Sequence, residues 1–128
     1  MTIELFTLCD GAYNYNGKLT IVGSWTSIGV NEIPSKIPVG VAMRIRIEVG
    51  EKGSKEMKIQ FLNPDGSTIP TDIVASLDIK QSKEIAYINL AATIQGFPIS
   101  QIGRHTVKVI IDENLIAEYP LVVEAKKA

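Results

Sequence analysis

Between Val39 and Val49 the chain alternates. Val39, Val41, Met43, Ile45, Ile47 and Val49 are apolar, and Gly40, Ala42, Arg44, Arg46 and Glu48 lie between them. Successive side chains of a strand point to opposite faces, so this run places one apolar set on one side and two arginines and a glutamate on the other. That is the pattern of an antiparallel sheet with one wet face.

The rhythm recurs along the chain. Met57, Ile59 and Phe61 alternate with Lys58 and Gln60; Ile73, Ala75, Leu77 and Ile79 alternate with Val74, Ser76 and Asp78. Further sets are Ala86 to Ile94, His105 to Ile111 and Leu115 to Val123, preceded by Ile3 to Cys9 and by Leu19, Ile21, Gly23 and Trp25. Ile, Val and Thr supply 37 of the 128 residues, and their branched Cβ atoms suit a pleated surface. No segment sustains a 3.6-residue period.

Turn residues separate these runs. Asn16-Gly17 is a type I′ hairpin signal, because both central residues need φ > 0. Asn63-Pro64-Asp65-Gly66 reads as a tight turn. Gly50 to Gly53 and Asp112-Glu113-Asn114 read as two further hairpin tips, Gly29 to Pro38 as a longer connection between sheets, and Phe97 to Ile102 as an irregular crossover. Pro120 within the last run predicts an edge strand. The expected fold is an all-β, immunoglobulin-like antiparallel sandwich of seven to nine strands, with residues 1–128 as one domain.

Composition narrows the function classes. A net charge of −1, from 13 basic and 14 acidic residues, gives no basic surplus for nucleic acid. A lone Cys9 forms no intrachain disulfide. The opening Met1 to Thr7 shows no signal-peptide pattern, and the longest nearly apolar stretch, Ile85 to Ile94, is too short to span a bilayer. The expected location is the cytoplasm, with no membrane partner.

Two segments carry a resemblance. The opening Leu8-Cys9-Asp10-Gly11-Ala12, then Asn16-Gly17-Lys18-Leu19 and Val22-Gly23-Ser24-Trp25, resembles the start of a family of small bacterial proteins of unknown function. Leu90, Phe97-Pro98 and Gly103-Arg104-His105-Thr106-Val107 resemble its C-terminal half. The resemblance implies a cytosolic β-sandwich and brings no activity or site residue. Gly103, His105 and Val107 also resemble the tyrosine corner of immunoglobulin-like domains, with histidine in place of tyrosine.

The candidate chemistry is sparse. His105, the only histidine, alternates in phase with Val107 and Val109, which favours a structural bond to backbone over a general base or metal ligand. Cys9 precedes Asp10, which disfavours a thiolate, so it reads as a small buried hydrophobe. Trp25 shares a face with Leu19 and Ile21 and reads as core. Asp10 reads as a turn cap; pairing with Asp72 or Asp112 on calcium lacks the spacing of a cation loop, so no metal or cofactor is expected. Arg44, Arg46 and Lys58 form a basic patch if their strands are neighbours.

Tyr13, Tyr15 and Phe97 are the candidate contact residues, since tyrosine joins apolar area to a polar tip. The leading expectation is a non-enzymatic domain acting through protein contact or self-association. The alternative is a small-molecule or carbohydrate-binding module on the same aromatics. An enzyme would have to draw on Cys9, Asp10 and His105.

Overall fold

Every run of alternating residues becomes a strand. The computed structural model describes residues 1–80 and 83–126, and its elements are β1 (Thr2–Tyr15), β2 (Lys18–Trp25), β3 (Ser27–Val30), β4 (Ser35–Ile47), β5 (Gly53–Leu62), β6 (Thr68–Ile79), β7 (Ala86–Ile99), β8 (Gly103–Ile111) and β9 (Asn114–Ala125). One sheet has the order β2-β1-β4-β7, the other β3-β9-β8-β5-β6. The fold is all-β, as in a β-sandwich, with nine strands in two sheets among the described residues. Among the described residues there is no helix.

The contacts divide the chain into two compact units of interleaved segments. The first comprises Met1–Trp25, Pro38–Lys55 and Leu77–Ile94; the second comprises Thr26–Ile37, Glu56–Ser76 and Gln95–Ala128.

In the second unit, period two governs burial. His105, Val107, Val109 and Ile111 of β8 are buried, while Thr106, Lys108 and Ile110 are half-exposed. Strand β5 pairs antiparallel with β8, setting Ile59 opposite Val109 and Phe61 opposite Val107, and Met57, Ile59 and Phe61 are fully buried. The wet face is stitched by Lys58–Asp72 at 3.4 Å and Lys108–Glu118 at 3.9 Å. Such exposed pairs contribute at most about 1 kcal/mol each.

The first unit departs from that rule. From Val39 to Met43 every residue of β4 is buried. Val39, Val41 and Met43 form one face; Gly40 and Ala42 lie on the other, against Cys9 and the β1–β2 hairpin. Small residues there let a second layer approach.

Three connections and one strand position differ from the sequence reading. Phe97, Pro98 and Ile99 continue β7, so only Ser100 to Ile102 remain irregular. The Gly50–Gly53 segment joins strands of different sheets, β4 and β5, and is no hairpin tip. The stretch Gly29 to Pro38, expected as one connection, holds the end of β3 and the start of β4, and β3 runs parallel to β9. Strand β9 is interior, between β3 and β8. The proline is nevertheless accommodated: β3 pairs only with Val122 to Ala125, so the side of β9 away from β8 is unpaired by β3 at Pro120, where a missing N–H costs least.

Candidate functional site

The surface that presents the candidate tyrosines is the β1–β2 hairpin. Asn16 and Gly17 have φ of 50° and 72°, so a two-residue turn reverses the chain with the twist that its strands need. The register sets Tyr13 opposite Thr20, Tyr15 opposite Lys18 and Gly11 opposite Val22. Directly opposed residues share a face, so the tyrosines and Val22 lie on one side of the hairpin. Tyr13, Tyr15 and Val22 are 53%, 70% and 52% exposed. The Tyr13 ring covers Gly11: a Cβ there would stand 2.8 Å from the tyrosine hydroxyl.

The hairpin is held from behind. Cys9, Ala12 and Ala42 form a buried cluster against which Leu19, Ile21 and Ala91 pack. Two polar residues of β7 latch it. The Ala12 N–H donates to Thr93 Oγ1 at 3.2 Å, and that hydroxyl lies 3.4 Å from the Ala12 carbonyl. Asn89 donates through Nδ2 to the carbonyl of Gly17 at the hairpin tip (3.2 Å) and accepts from Arg44 Nε (3.1 Å). Asn89 and Thr93 thus tie the hairpin to the β7 face. In the sequence this latch shows only as two polar residues four apart on one face of β7, and their partners Ala12 and Gly17 lie more than seventy positions away.

The other candidates are structurally engaged. Phe97 is fully buried and meets Phe61 edge-on, with ring centroids 4.9 Å apart at 69°. It offers no surface to a ligand, and it leaves the contact set. Trp25, expected in the core, is only half-buried and stands outside the set of buried core residues, and its Nε1 is buried without a hydrogen-bond partner. Cys9 is buried, with Sγ 3.3 Å from the Gly11 carbonyl. Burial pushes its thiol pKa up and Asp10 adds to this, while the hydrogen bond with the Gly11 backbone opposes it. That is the setting of an unreactive thiol. Asp10 lies over Gly23, whose φ is +60° and where a Cβ would meet the carboxylate at 2.5 Å.

His105 is 1% exposed. Its Nδ1 lies 3.2 Å from the Gly103 carbonyl; a carbonyl only accepts, so that nitrogen carries the proton. Nε2 is buried and meets no partner in hydrogen-bond geometry. Burial holds the imidazole pKa below its ordinary value, opposed by the backbone of Gly103 and Leu121.

The expected basic patch does not form. Arg44 pairs with Glu4 at 3.6 Å, Arg46 with Glu48 at 2.9 Å and Lys58 with Asp72, and the arginines lie in a different sheet from Lys58. Among the described residues no group of three or more His, Cys, Asp or Glu is arranged to hold a metal.

Depressions occur elsewhere on the second unit. One of about 500 Å³ is lined by Glu56, Lys58, Ile110, Asp112 and Glu113. Its Glu56 and Asp112 hold the turn together, with the Glu56 N–H donating to Asp112 Oδ1 at 3.0 Å. A second, of about 230 Å³, lies between Pro34–Lys36 and Pro98–Ser100, and a third, of about 160 Å³, lies around Tyr119 and Pro120. None of the three includes Tyr13 or Tyr15. No helix of the described residues is long and apolar enough to cross a membrane.

No curated protein matches the sequence. A family profile does, over residues 4–124 and thus nearly the whole described chain, and the protein belongs to that family, DUF6941, a family of unknown function.

Proposed function

We propose that this domain is a non-enzymatic, immunoglobulin-like module that acts in the cytoplasm through contact with other proteins, self-association included. The observation that carries the reading is the exposure of Tyr13, Tyr15 and Val22 on one face of a hairpin clamped from behind by Asn89 and Thr93. Aromatic side chains on a pre-ordered support lose little entropy on docking, and tyrosine is enriched at the centres of interfaces. The His105–Gly103 bond at the start of β8 supports the comparison with a tyrosine corner.

The test compares wild type with a Tyr13→Ser/Tyr15→Ser double variant in native purification and in light scattering. The expected result is a partner, or a second copy, held by wild type and lost from a variant that still folds. A wild type that is monomeric and retrieves nothing would overturn the reading. The same two rings could stack on a sugar face. A thermal shift with a sugar that the double variant loses would move the assignment to a carbohydrate-binding module; a ligand at 100 times its Kd stabilises by about 2.7 kcal/mol.

A further inference from the structure

Four strands stand at sheet edges: β2 and β7 in one sheet, β3 and β6 in the other. An open edge presents unpaired N–H and C=O groups, and chains that stay apart blunt such edges with charge, proline, bulges or brevity. Three of the four are blunted. Strand β2 begins at Lys18 and is interrupted by Gly23 at φ +60°. Strand β3 has four residues. Strand β6 carries Pro70, Asp72 and Asp78.

Strand β7 is the exception. Its 14 residues, AYINLAATIQGFPI, contain no charge, and neither glycine nor proline occurs before Gly96. Ile88, Leu90, Ala92 and Ile94 are only half-buried, unlike the corresponding set of β8. Among the described residues no strand is hydrogen-bonded to the outer side of β7.

We propose that β7 pairs antiparallel with β7 of a second copy of this chain, centred on Ala91, joining two four-stranded sheets into one of eight. The proposal rests on the self-association reading above and names its edge and register. Two arguments select a second copy as the occupant. In a two-fold antiparallel pairing each residue faces the position symmetric to it about the axis, and because β7 carries no charge no register of a second copy sets like charges opposite each other. Faces also match only when opposed residues have the same parity. Centring on Ala91 sets Ile88 opposite Ile94, Leu90 opposite Ala92, Asn89 opposite Thr93 and Tyr87 opposite Gln95, so that apolar meets apolar and polar meets polar. The ladder is also long enough. The nine residues from Tyr87 to Gln95 extend about 31 Å and exchange about eight to ten backbone hydrogen bonds, within the range of a typical stable interface.

Tyr87 and Gln95 are exposed, so charges placed there leave the fold intact. In the proposed register they face each other twice. The experiment is sedimentation equilibrium on the full chain with two double variants, their folding checked by thermal melting. Tyr87→Lys/Gln95→Lys sets like charges opposite and dissociates the dimer. Tyr87→Lys/Gln95→Glu sets opposite charges together and keeps it, with a Kd at least about tenfold lower than that of the first variant. Equal dissociation constants for the two variants overturn the register. A wild-type dimer that survives both but falls apart in Tyr13→Ser/Tyr15→Ser overturns the β7 edge and leaves the contact reading standing. A wild type that stays monomeric at all concentrations overturns the β7 proposal, and the contact reading then stands or falls on the native purification.

Discussion

Strand β8 and the β1–β4 pair bury apolar residues by different rules. In β8 the buried set is every second residue, and between them lie Thr106, Lys108 and Ile110, half-exposed. In β1 and β4 buried neighbours are consecutive: Leu8 with Cys9, Gly11 with Ala12, and Val39 through Met43. One strand has a wet face. In the other two, Cys9, Ala12 and Ala42 are closed in by Leu19, Ile21 and Ala91, where the β1–β2 hairpin bends toward β7. Residue size records the difference, since the outward set of β8 is Thr106, Lys108 and Ile110, whereas between Val39 and Met43 the second set of β4 is Gly40 and Ala42. A covered second face reads as a run of small residues, not as a run of large ones.

The largest effect belongs to the alternating region. Phe97→Ala empties a fully buried site against Phe61 and is expected to cost about 3–5 kcal/mol, part of it the edge-on ring contact. Urea denaturation measures it. A loss below about 1 kcal/mol would mean that Phe97 contributes little to the packing around Phe61.

Gly40→Ala tests the covered face. The new methyl would meet Cys9 Sγ at 2.8 Å, the Cys9 carbonyl at 3.0 Å and Gly11 Cα at 3.1 Å. Two of those atoms are backbone and cannot swing aside, so a loss of about 1–3 kcal/mol is expected. Gly96→Ala in β7 is the control. Its methyl meets only Lys36 Cδ, at 3.7 Å, and the change is expected to be neutral or to stabilise by less than about 1 kcal/mol. If both substitutions behave alike, small size at Gly40 has nothing to do with the hairpin.

A third measurement probes the one polar member of the β8 core. Burial lowers the folded pKa of His105. Near and below the ordinary value of about 6.5, the unfolded chain therefore holds a proton that the folded chain lacks. Stability from this group is present above the unfolded pKa and is lost as pH falls through it toward the folded pKa. The slope of stability between about pH 7 and pH 5 should flatten in His105→Gln. An unchanged slope would assign the acid sensitivity to carboxylates instead.

The same contrast explains what was legible in the sequence. Alternation located the long strands, because one wet face forces period two in β5, β6 and β8. Asn16-Gly17 located its turn, because few residue pairs accept two positive φ angles. Sheet partners were not legible. Gly50-Glu51-Lys52-Gly53 looks like a hairpin tip, yet it joins strands of different sheets, and nothing local distinguishes the two. Pro120 suggested an edge strand, yet β9 lies between β3 and β8, and β3 pairs with it only beyond the proline, at Val122 to Ala125. Phe97 next to Pro98 resembled loop chemistry, and it is core because β7 runs on to Ile99. Tyr13 and Tyr15 are exposed; the latch behind them, Asn89 and Thr93, depends on contacts more than seventy positions away in the chain.

The smallest effect separates the two tight turns. At the tip of the β1–β2 hairpin, Asn16 and Gly17 take φ of 50° and 72°; between β8 and β9, Asp112 and Glu113 take 48° and 68°. The backbone is nearly the same, and the second residue differs. A residue with a Cβ in the left-handed region costs roughly 1–2 kcal/mol, whereas glycine there costs chain entropy of roughly 0.5–1 kcal/mol. Glu113→Gly is therefore expected to stabilise by about 0.5–1 kcal/mol, and Gly17→Ala to destabilise by a similar amount, since a Cβ at Gly17 touches nothing and only φ opposes it. Asp112 is best left in place, because its Oδ1 accepts the Glu56 N–H. Paired thermal melts of the two variants read the effects with opposite signs. If Glu113→Gly fails to stabilise, the glutamate has a favourable interaction in the turn that outweighs its strain, and the depression that it lines beside Glu56 and Lys58 is where that interaction would be found.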